Sequence, residues 1–206
     1  MRLGYTARVI ELQPDALIGR GLHRECYRHP TDPGRCVKIV VAGNSDENRR
    51  EAAYYARLAA RGIDWDRLAR FHGLATTDRG EGAVFDLVCD PDGSVSRPLD
   101  HYLACRDLSG RHAAELAAAL QALRSWLLQH RVVTMTLKAK NILVQWRDGD
   151  CALVLVDNVG NTDFIPLTNY WGWLARRKIR RKWRRFIATL RRDYPGHPAL
   201  EAVPED

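Results

Sequence analysis

The fold is decided by two apolar segments around a polar turn, VVTMTLKAKNILV (132–144) and CALVLVDNVG (151–160). The first segment carries Lys138 and Asn141, and Asp157 follows the apolar part of the second. Two short apolar runs separated by a turn of Asp and Gly predict a two-stranded ribbon. An amide before one strand and a carboxylate after the other can share a Mg²⁺ ion, and a nearby lysine suits a phosphate. This layout predicts a phosphoryl-transfer catalytic loop.

One position departs from that pattern. The catalytic carboxylate should stand five residues before Asn141, where this chain has Thr136. A threonine hydroxyl cannot accept a proton as a carboxylate does near neutral pH, although it can hydrogen-bond a phosphate or a substrate hydroxyl. Positioning and metal electrostatics carry most of phosphoryl-transfer catalysis. Loss of the base would therefore lower the rate about 10²–10⁴-fold without abolishing it.

Composition favours a soluble globular protein. The 206 residues are 46% hydrophobic and 28% charged, which suits one domain of two lobes with a real core. No run of 18 apolar residues and no signal-peptide pattern occurs, so we expect no transmembrane segment. The five cysteines are dispersed without a C-x-x-C pair, which is typical of a reducing compartment. These features predict a cytoplasmic protein.

The positive charge is concentrated near the carboxyl end. Residues 170–193 hold ten Arg and Lys against one acid, a local charge of +9, so the rest of the chain carries −2 of the total +7. An uneven apolar stripe in 168–192 predicts a helix. The helix could simply pack on the second lobe with a solvated basic face. The alternative is an anionic partner at 170–192: an acidic protein, a phospholipid surface or nucleic acid.

The amino-terminal part reads as strands. A possible strand at Ala7–Leu12 is followed by Leu-Ile-Gly-Arg-Gly at 17–21 and a strand-like stretch after it. Gly19 and Gly21 could let backbone amides approach a bound phosphate. A plain hairpin turn is the alternative. A Rossmann nucleotide site is excluded, because a strand and not a helix follows the glycines.

Lys38 lies within an apolar strand at 36–41, where an ammonium group needs a partner or an anion. An edge-strand lysine that faces water is the other interpretation. In a predicted helix at 47–61, Glu51 begins the apolar stripe that Tyr55 and Leu58 continue. A carboxylate there needs a cation, and Lys38 is the natural candidate. Alternatively, Glu51 caps the first turn of its helix, where the helix dipole favours an acidic side chain.

The remaining pattern completes an α+β chain. Predicted strands at 70–76 and 82–89 bring the first lobe to five strands and one helix, and an alanine- and leucine-rich helix at 111–130 begins the core of the second. A turn at 90–93 separates the lobes. We predict a single domain, 1–206, with an N-lobe at about 1–90, a C-lobe at about 94–193 and a frayed tail at 194–206.

These motifs together resemble those of protein kinases and, over nearly the whole chain, the YrbL family, small bacterial kinase-like proteins named with the PhoP regulatory network. The pieces that carry the resemblance are IGRGLHRECYRHP, CVKIV, RREAAYYARL, RFHG, VVTMTLKAKNIL, VDNVG and the segment Trp183-Arg184-Arg185-Phe186. The resemblance implies a truncated two-lobed protein-kinase-like fold, with a β-rich N-lobe and a helical C-lobe that ends in the basic helix. Only 49 residues follow Asp157, so we expect no protein substrate docked in the usual way.

The resemblance also implies roles in binding ATP and Mg²⁺. Gly19 and Gly21 would cover the phosphates, although the third glycine of the usual loop is replaced by Arg24. Lys38 would contact the α and β phosphates while Glu51 holds it.

On the other side of the nucleotide, the resemblance assigns the remaining positions. Lys138 would lie near the γ phosphate, and Asn141 and Asp157 would hold Mg²⁺. The adenine would lie beside Leu87 and Val88.

Three functions remain open from the sequence. The first is a regulatory protein that binds Mg·ATP as a pseudokinase or a very weak phosphotransferase, and Thr136 favours it. The second is an active atypical kinase that phosphorylates a small molecule or a protein with another residue in place of the aspartate. The third and weakest is an interaction module that uses the basic helix and has no nucleotide role. The sequence does not name the substrate, the partner or the oligomeric state.

Overall fold

The structure is a computed structural model that describes residues 9–42, 46–160 and 172–204. The chain divides into two compact units. Their ranges are Met1–Arg61 with Ala69–Leu87 for the first unit, and Gly62–Leu68 with Val88–Asp206 for the second. Each unit contains a sheet and at least one helix, so the predicted α+β class is confirmed.

The first unit is built on an antiparallel sheet of five strands in the order β1-β2-β3-β5-β4. The strands are β1 (Leu17–Arg20), β2 (Arg24–Arg28), β3 (Arg35–Val40), β4 (Phe71–Thr77) and β5 (Gly80–Asp86). Four of them agree with the sequence prediction within a few residues. The first strand differs: it is Leu17–Arg20, whereas Ala7–Leu12 was predicted. Within that earlier stretch Ile10 makes a single bridge to Thr77, and residues up to 8 lie outside the described part.

One helix, α1 (Asp46–Ala60), belongs to the same unit and follows the predicted periodicity. Tyr55 and Leu58, three residues apart, are 2% and 0% exposed because they share the face that packs into the core. The Tyr55 ring contacts Phe71 of β4 and Phe85 of β5, with centroids 5.9 and 5.5 Å apart. This aromatic cluster fixes the helix against the sheet.

The second unit combines helices with a three-stranded antiparallel sheet. Its elements are β6 (Arg97–Pro98), α2 (Leu99–Ala104), α3 (Arg106–Arg111), α4 (Ala113–Gln129), β7 (Ile142–Arg147), β8 (Asp150–Leu155), α5 (Gly172–Asp193) and α6 (Pro198–Glu201). Helix α4 buries the leucine stripe that the sequence predicted, at 116, 120, 123 and 127, each at most 1% exposed. It forms the core of this unit, where it packs against β8, α5 and α6.

Helix α5 packs its apolar stripe inward. Trp183 is 0% exposed, and Phe186 and Ile187 are 3% and 1% exposed. The predicted start of this helix near 168 falls on residues 161–171, which lie outside the described part. Among the described residues, no helix is long and apolar enough to cross a membrane.

Residues 194–204, the described part of the tail after α5, pack on the second unit where fraying of 194–206 was expected. His197 caps α6 by accepting a hydrogen bond from the Ala199 amide at its Nδ1, and Leu200 is 1% exposed. The Arg191 guanidinium donates to the carbonyl oxygens of Leu200 and Val203 at 3.0 and 2.7 Å. The prediction failed because the acidic and proline-containing composition of the tail hides three buried apolar residues that dock on the unit.

Candidate functional site

A hairpin in the second unit positions the predicted metal ligands. Strands β7 and β8 pair from Ile142 opposite Leu155 to the two-residue turn at 148–149, whose φ angles of 37° and 90° suit a tight hairpin. Asn141 comes directly before β7, and Asp157 comes two residues after β8. The Asn141 carbonyl accepts a hydrogen bond from the Val156 amide at 3.0 Å. The two side chains predicted to hold Mg²⁺ therefore leave the backbone at the same end of one ribbon.

A second pairing joins the segment before the loop to the segment after the ribbon. The Met135 amide donates to the Asn158 carbonyl at 2.7 Å, and Thr134 forms a bridge with Val159. Asn158 has a φ of 60°, a left-handed conformation that Asn tolerates better than most residues. The chain is thus held on both sides of the exposed loop that carries Thr136.

The donor chemistry of this site suits Mg²⁺. Asp157 and Asn141 are half-buried and offer hard carboxylate and amide oxygens, while the Asp157 Oδ1 already accepts the Asn158 amide at 2.8 Å. In the part of the chain that the structure describes, no group of three or more His, Cys, Asp or Glu could hold a metal by itself. Mg²⁺ usually keeps one or two protein carboxylates and takes its other ligands from water and substrate phosphates, so a two-residue set fits.

The loop around Thr136 is cationic. Lys138 and Lys140 are exposed, and the stretch 132–140 contains no acidic residue. A third lysine joins them from α5, where the Lys182 ammonium donates a hydrogen bond to the Met135 carbonyl. Sequence reasoning assigned Lys182 only to the basic helix. Its spacing, three residues after Ile179 and four before Phe186 of the apolar stripe, was the signal that it lies at the edge of the inward face.

Lys38 is a buried cation on the central strand of the first unit. It is 8% exposed on β3, between Cys26 of β2 and Ala83 of β5, so the interpretation as a water-facing edge lysine is wrong. Its ammonium nitrogen lies 4.5 Å from the centroid of the Phe85 ring, within the range of a cation–π interaction.

Glu51 has a cationic partner other than the predicted one. Its Oε2 accepts a hydrogen bond from the Arg24 guanidinium at 2.5 Å, whereas the sequence favoured Lys38. Glu51 is 8% exposed, so this ion pair is largely shielded from water. Arg24 is the residue at which the predicted phosphate loop would have its third glycine. That substitution was visible in the sequence, but its link to Glu51, 27 residues away, was not.

The two predicted loop glycines differ in how the chain surrounds them. Gly19 lies within β1 rather than in a loop, and a Cβ added there would meet nothing within 4 Å. Gly21 follows β1, and its amide donates to the Arg24 carbonyl at 2.7 Å. A side chain could therefore be accommodated at Gly19 by the described chain.

The residues predicted to contact adenine already form backbone hydrogen bonds. The Leu87 amide donates to the Gly34 carbonyl at 2.8 Å, and the Val88 carbonyl accepts from the Ser96 amide at 3.0 Å. The first hydrogen bond lies within the first unit, and the second lies within the second unit. Their contact with adenine stays a prediction, as do the nucleotide roles of the other residues.

Comparison with known proteins identifies the family. A family model described as "PhoP regulatory network protein YrbL" matches residues 10–191. Two curated relatives, each named "Uncharacterized protein YrbL", come from Escherichia coli (strain K12) and Shigella flexneri. Each is 40% identical over 185 residues, which cover 87% of this chain and 87% of the relative. The match runs through both units and includes every site residue described above, so the chain belongs to the YrbL family.

Proposed function

We propose that this protein binds Mg·ATP and acts as a regulatory pseudokinase or a very weak phosphotransferase. The observation that carries the proposal is that Asn141 and Asp157 lie at the same end of the β7–β8 ribbon. The 3.0 Å hydrogen bond from the Val156 amide to the Asn141 carbonyl holds the two strand ends together. An amide and a carboxylate held in this way suit a Mg²⁺ ion that is shared with phosphates. The bound ion would supply charge neutralisation of the phosphates.

The first unit supports the same proposal through its buried charges. Lys38 is 8% exposed on the central strand, with its ammonium nitrogen 4.5 Å from the centroid of the Phe85 ring, so the sheet holds a cation that is largely shielded from water. An ammonium at that position suits the α and β phosphates. The proposal extends to the fold: the two units correspond to the β-rich N-lobe and the helical C-lobe of a truncated protein-kinase-like fold in a cytoplasmic protein.

Thr136 is the reason for proposing regulation rather than efficient transfer. The loop 132–140 offers no carboxylate and no histidine that could take a proton from a substrate hydroxyl. Lys138 and Lys182 favour phosphate binding at the same loop. The family description, which names a regulatory network, agrees with a role in regulation.

Thermal melting with and without nucleotide tests the proposal. Mg·ATP at about 100 times its dissociation constant stabilises a folded protein by about 2.7 kcal/mol, or about 5–10 °C for a chain of this size. We expect such a shift for the parent and a smaller one for Lys38→Ala and Asp157→Ala. Lys140→Ala, an exposed lysine of the same loop, is the matched control and should shift like the parent. The absence of any shift in the parent would contradict nucleotide binding.

A transfer assay then separates the remaining alternatives. With γ-labelled ATP, a pseudokinase should bind the nucleotide but release or transfer little label. Transfer at a rate typical of kinases, about 1–100 s⁻¹, would instead establish an atypical kinase that manages without the aspartate.

A further inference from the structure

The exposed side of α5 is a surface of arginines. We call it the arginine face, and it consists of Trp173, Arg176, Arg177, Arg180, Arg181, Arg184, Arg185 and Arg192, all exposed. Among the described residues, Arg192 has an acidic partner, Asp193 at 2.9 Å, and no acid lies within 4.0 Å of the other six arginines. The charge is therefore not neutralised within the described chain and is available to an anion.

The opposite side of α5 excludes one class of partner. Ile179, Trp183 and Phe186 are at most 3% exposed, since they pack into the second unit. An interfacial helix binds a bilayer by burying its apolar face among the lipids. Helix α5 has already buried that face in the protein, so it cannot bind a membrane in this way.

The type of cation on the outward side of α5 indicates which anion it binds. The two lysines of α5 turn inward: Lys178 is 8% exposed, and Lys182 contacts the Met135 carbonyl. All the outward cations are arginines. Arginine binds phosphate with two parallel hydrogen bonds and stacks on flat rings, whereas lysine acts as a point charge. The outward surface thus has the side chain that recognises phosphate backbones.

The spacing of the arginines follows the helix axis. Positions 176, 180 and 184 form one row at four-residue intervals, and 177, 181 and 185 form a second row beside it. Each interval rises about 6 Å along the helix, so each row extends over about 12 Å. Two such rows offer repeated contacts to a linear polyanion. Trp173, 60% exposed at the start of the same face, adds an aromatic ring on which an unpaired base can stack.

We propose that the arginine face binds the phosphate backbone of single-stranded nucleic acid, with Trp173 stacked on a base. Binding of this kind is independent of sequence, because backbone contacts carry no base information. It uses residues other than those of the nucleotide site, so it can hold or fail independently of Mg·ATP binding.

Fluorescence anisotropy with labelled 20-nucleotide single strands of RNA and DNA tests this proposal. Six or seven phosphate contacts predict a slope of about −4 to −5 for the logarithm of the binding constant against the logarithm of salt concentration. Affinity should then fall several hundred-fold, on the order of 10²·⁵–10³, between 50 and 200 mM salt. A slope between zero and −1 in the parent would overturn the proposal.

Charge-matched variants locate the surface. Arg177→Gln, Arg181→Gln and Arg185→Gln together should make the slope shallower by about 2 and weaken binding more than about tenfold at 100 mM salt. The control carries the same change in charge at exposed positions of α1, namely Arg49→Gln, Arg50→Gln and Arg57→Gln. Equal effects of the two triple variants would show that binding follows net charge rather than the arginine face, and would contradict the proposal.

Two further measurements distinguish single-stranded nucleic acid from a duplex, a phospholipid surface or an acidic polypeptide. Trp173→Ala should weaken single-strand binding about tenfold and leave the salt slope unchanged, because stacking involves no ion release. A blunt duplex that binds as tightly as the single strand, with no effect of Trp173→Ala, would overturn the single-strand assignment. Vesicles with 30% anionic phospholipid, or polyglutamate, that bind more tightly than the oligonucleotides at equal salt would overturn the nucleic-acid assignment altogether.

Discussion

The ion pair between Arg24 and Glu51 offers a quantitative test of how the first unit is stabilised. Arg24→Met removes the cation from a carboxylate whose side chain is 8% exposed, at a site where the two charged groups are 2.5 Å apart. Leaving one charge buried without its partner costs about 3–5 kcal/mol in comparable pairs. Because the Arg24 side chain is itself 16% exposed, we expect the low end, about 3 kcal/mol.

Substitution of the other partner of the ion pair should cost less stability. In Glu51→Leu the long Arg24 side chain can turn its guanidinium toward water, and leucine suits the apolar stripe of α1 that Tyr55 and Leu58 continue. Replacing both partners by apolar residues, Arg24→Met with Glu51→Leu, should come close to the parent in stability, because neither charge is then buried alone. The double-mutant cycle should therefore give a coupling energy of about 2 kcal/mol or more.

Urea unfolding followed by far-UV circular dichroism measures all four proteins. A loss of about 3 kcal/mol corresponds to a melting temperature about 6–12 °C lower for a chain of this length, so thermal melting provides a second readout. If Arg24→Met is less than about 1 kcal/mol below the parent, or if the two single substitutions are simply additive, the ion pair does not stabilise the unit.

Further predictions concern the loop, the tail and the basic helix. Thr136→Asp restores the missing carboxylate and should raise phosphate transfer from γ-labelled ATP by up to about 10²–10⁴-fold; unchanged transfer with intact ATP binding would show that more than the base is missing. Burial lowers the pKa of His197 below the ordinary value for histidine, with its backbone hydrogen bond opposing. Below that ordinary pKa the unfolded chain binds a proton at His197 that the folded protein does not bind, so stability should be full above it and should fall as the pH drops below it. Melting from pH 8 to pH 5 checks this, and His197→Asn, which keeps a cap for the Ala199 amide, should have a shallower pH dependence. Trp183→Ala empties a fully buried site and should cost about 3–5 kcal/mol in urea unfolding, whereas Trp173→Ala at the exposed end of the same helix should cost less than about 0.5 kcal/mol.

The features that the sequence predicted well are those set by local periodicity. The leucines of α4 recur at helical spacing, so their burial followed directly from the 3.6-residue repeat. The neighbouring positions of Asn141 and Asp157 were also predictable, because a tight two-residue turn at 148–149 fixes the register of the two strands that they flank. Both inferences need only residues that are close in sequence.

Contacts between distant residues were not predictable. Arg24 and Glu51 are 27 residues apart, and Lys182 is 47 residues from Met135, so no spacing rule joins them. Arg24 and Lys38 are on neighbouring strands, and which of them approaches Glu51 depends on the twist of the sheet and the placement of α1. The tail illustrates the same limit: its composition suggested fraying, but Leu200 and Val203 find a buried site that only the folded unit provides.

Calorimetric titration with ATP, in the presence and absence of Mg²⁺, tests directly whether the protein binds a nucleotide together with its metal ion. We predict one site per chain, whose affinity falls when Mg²⁺ is chelated and falls likewise in Asp157→Asn with Mg²⁺ present, while Lys140→Ala binds as the parent does. ATP binding with the same affinity with and without Mg²⁺, or no binding up to millimolar ATP, would contradict the assignment of Asn141 and Asp157 as ligands of a nucleotide-bound metal.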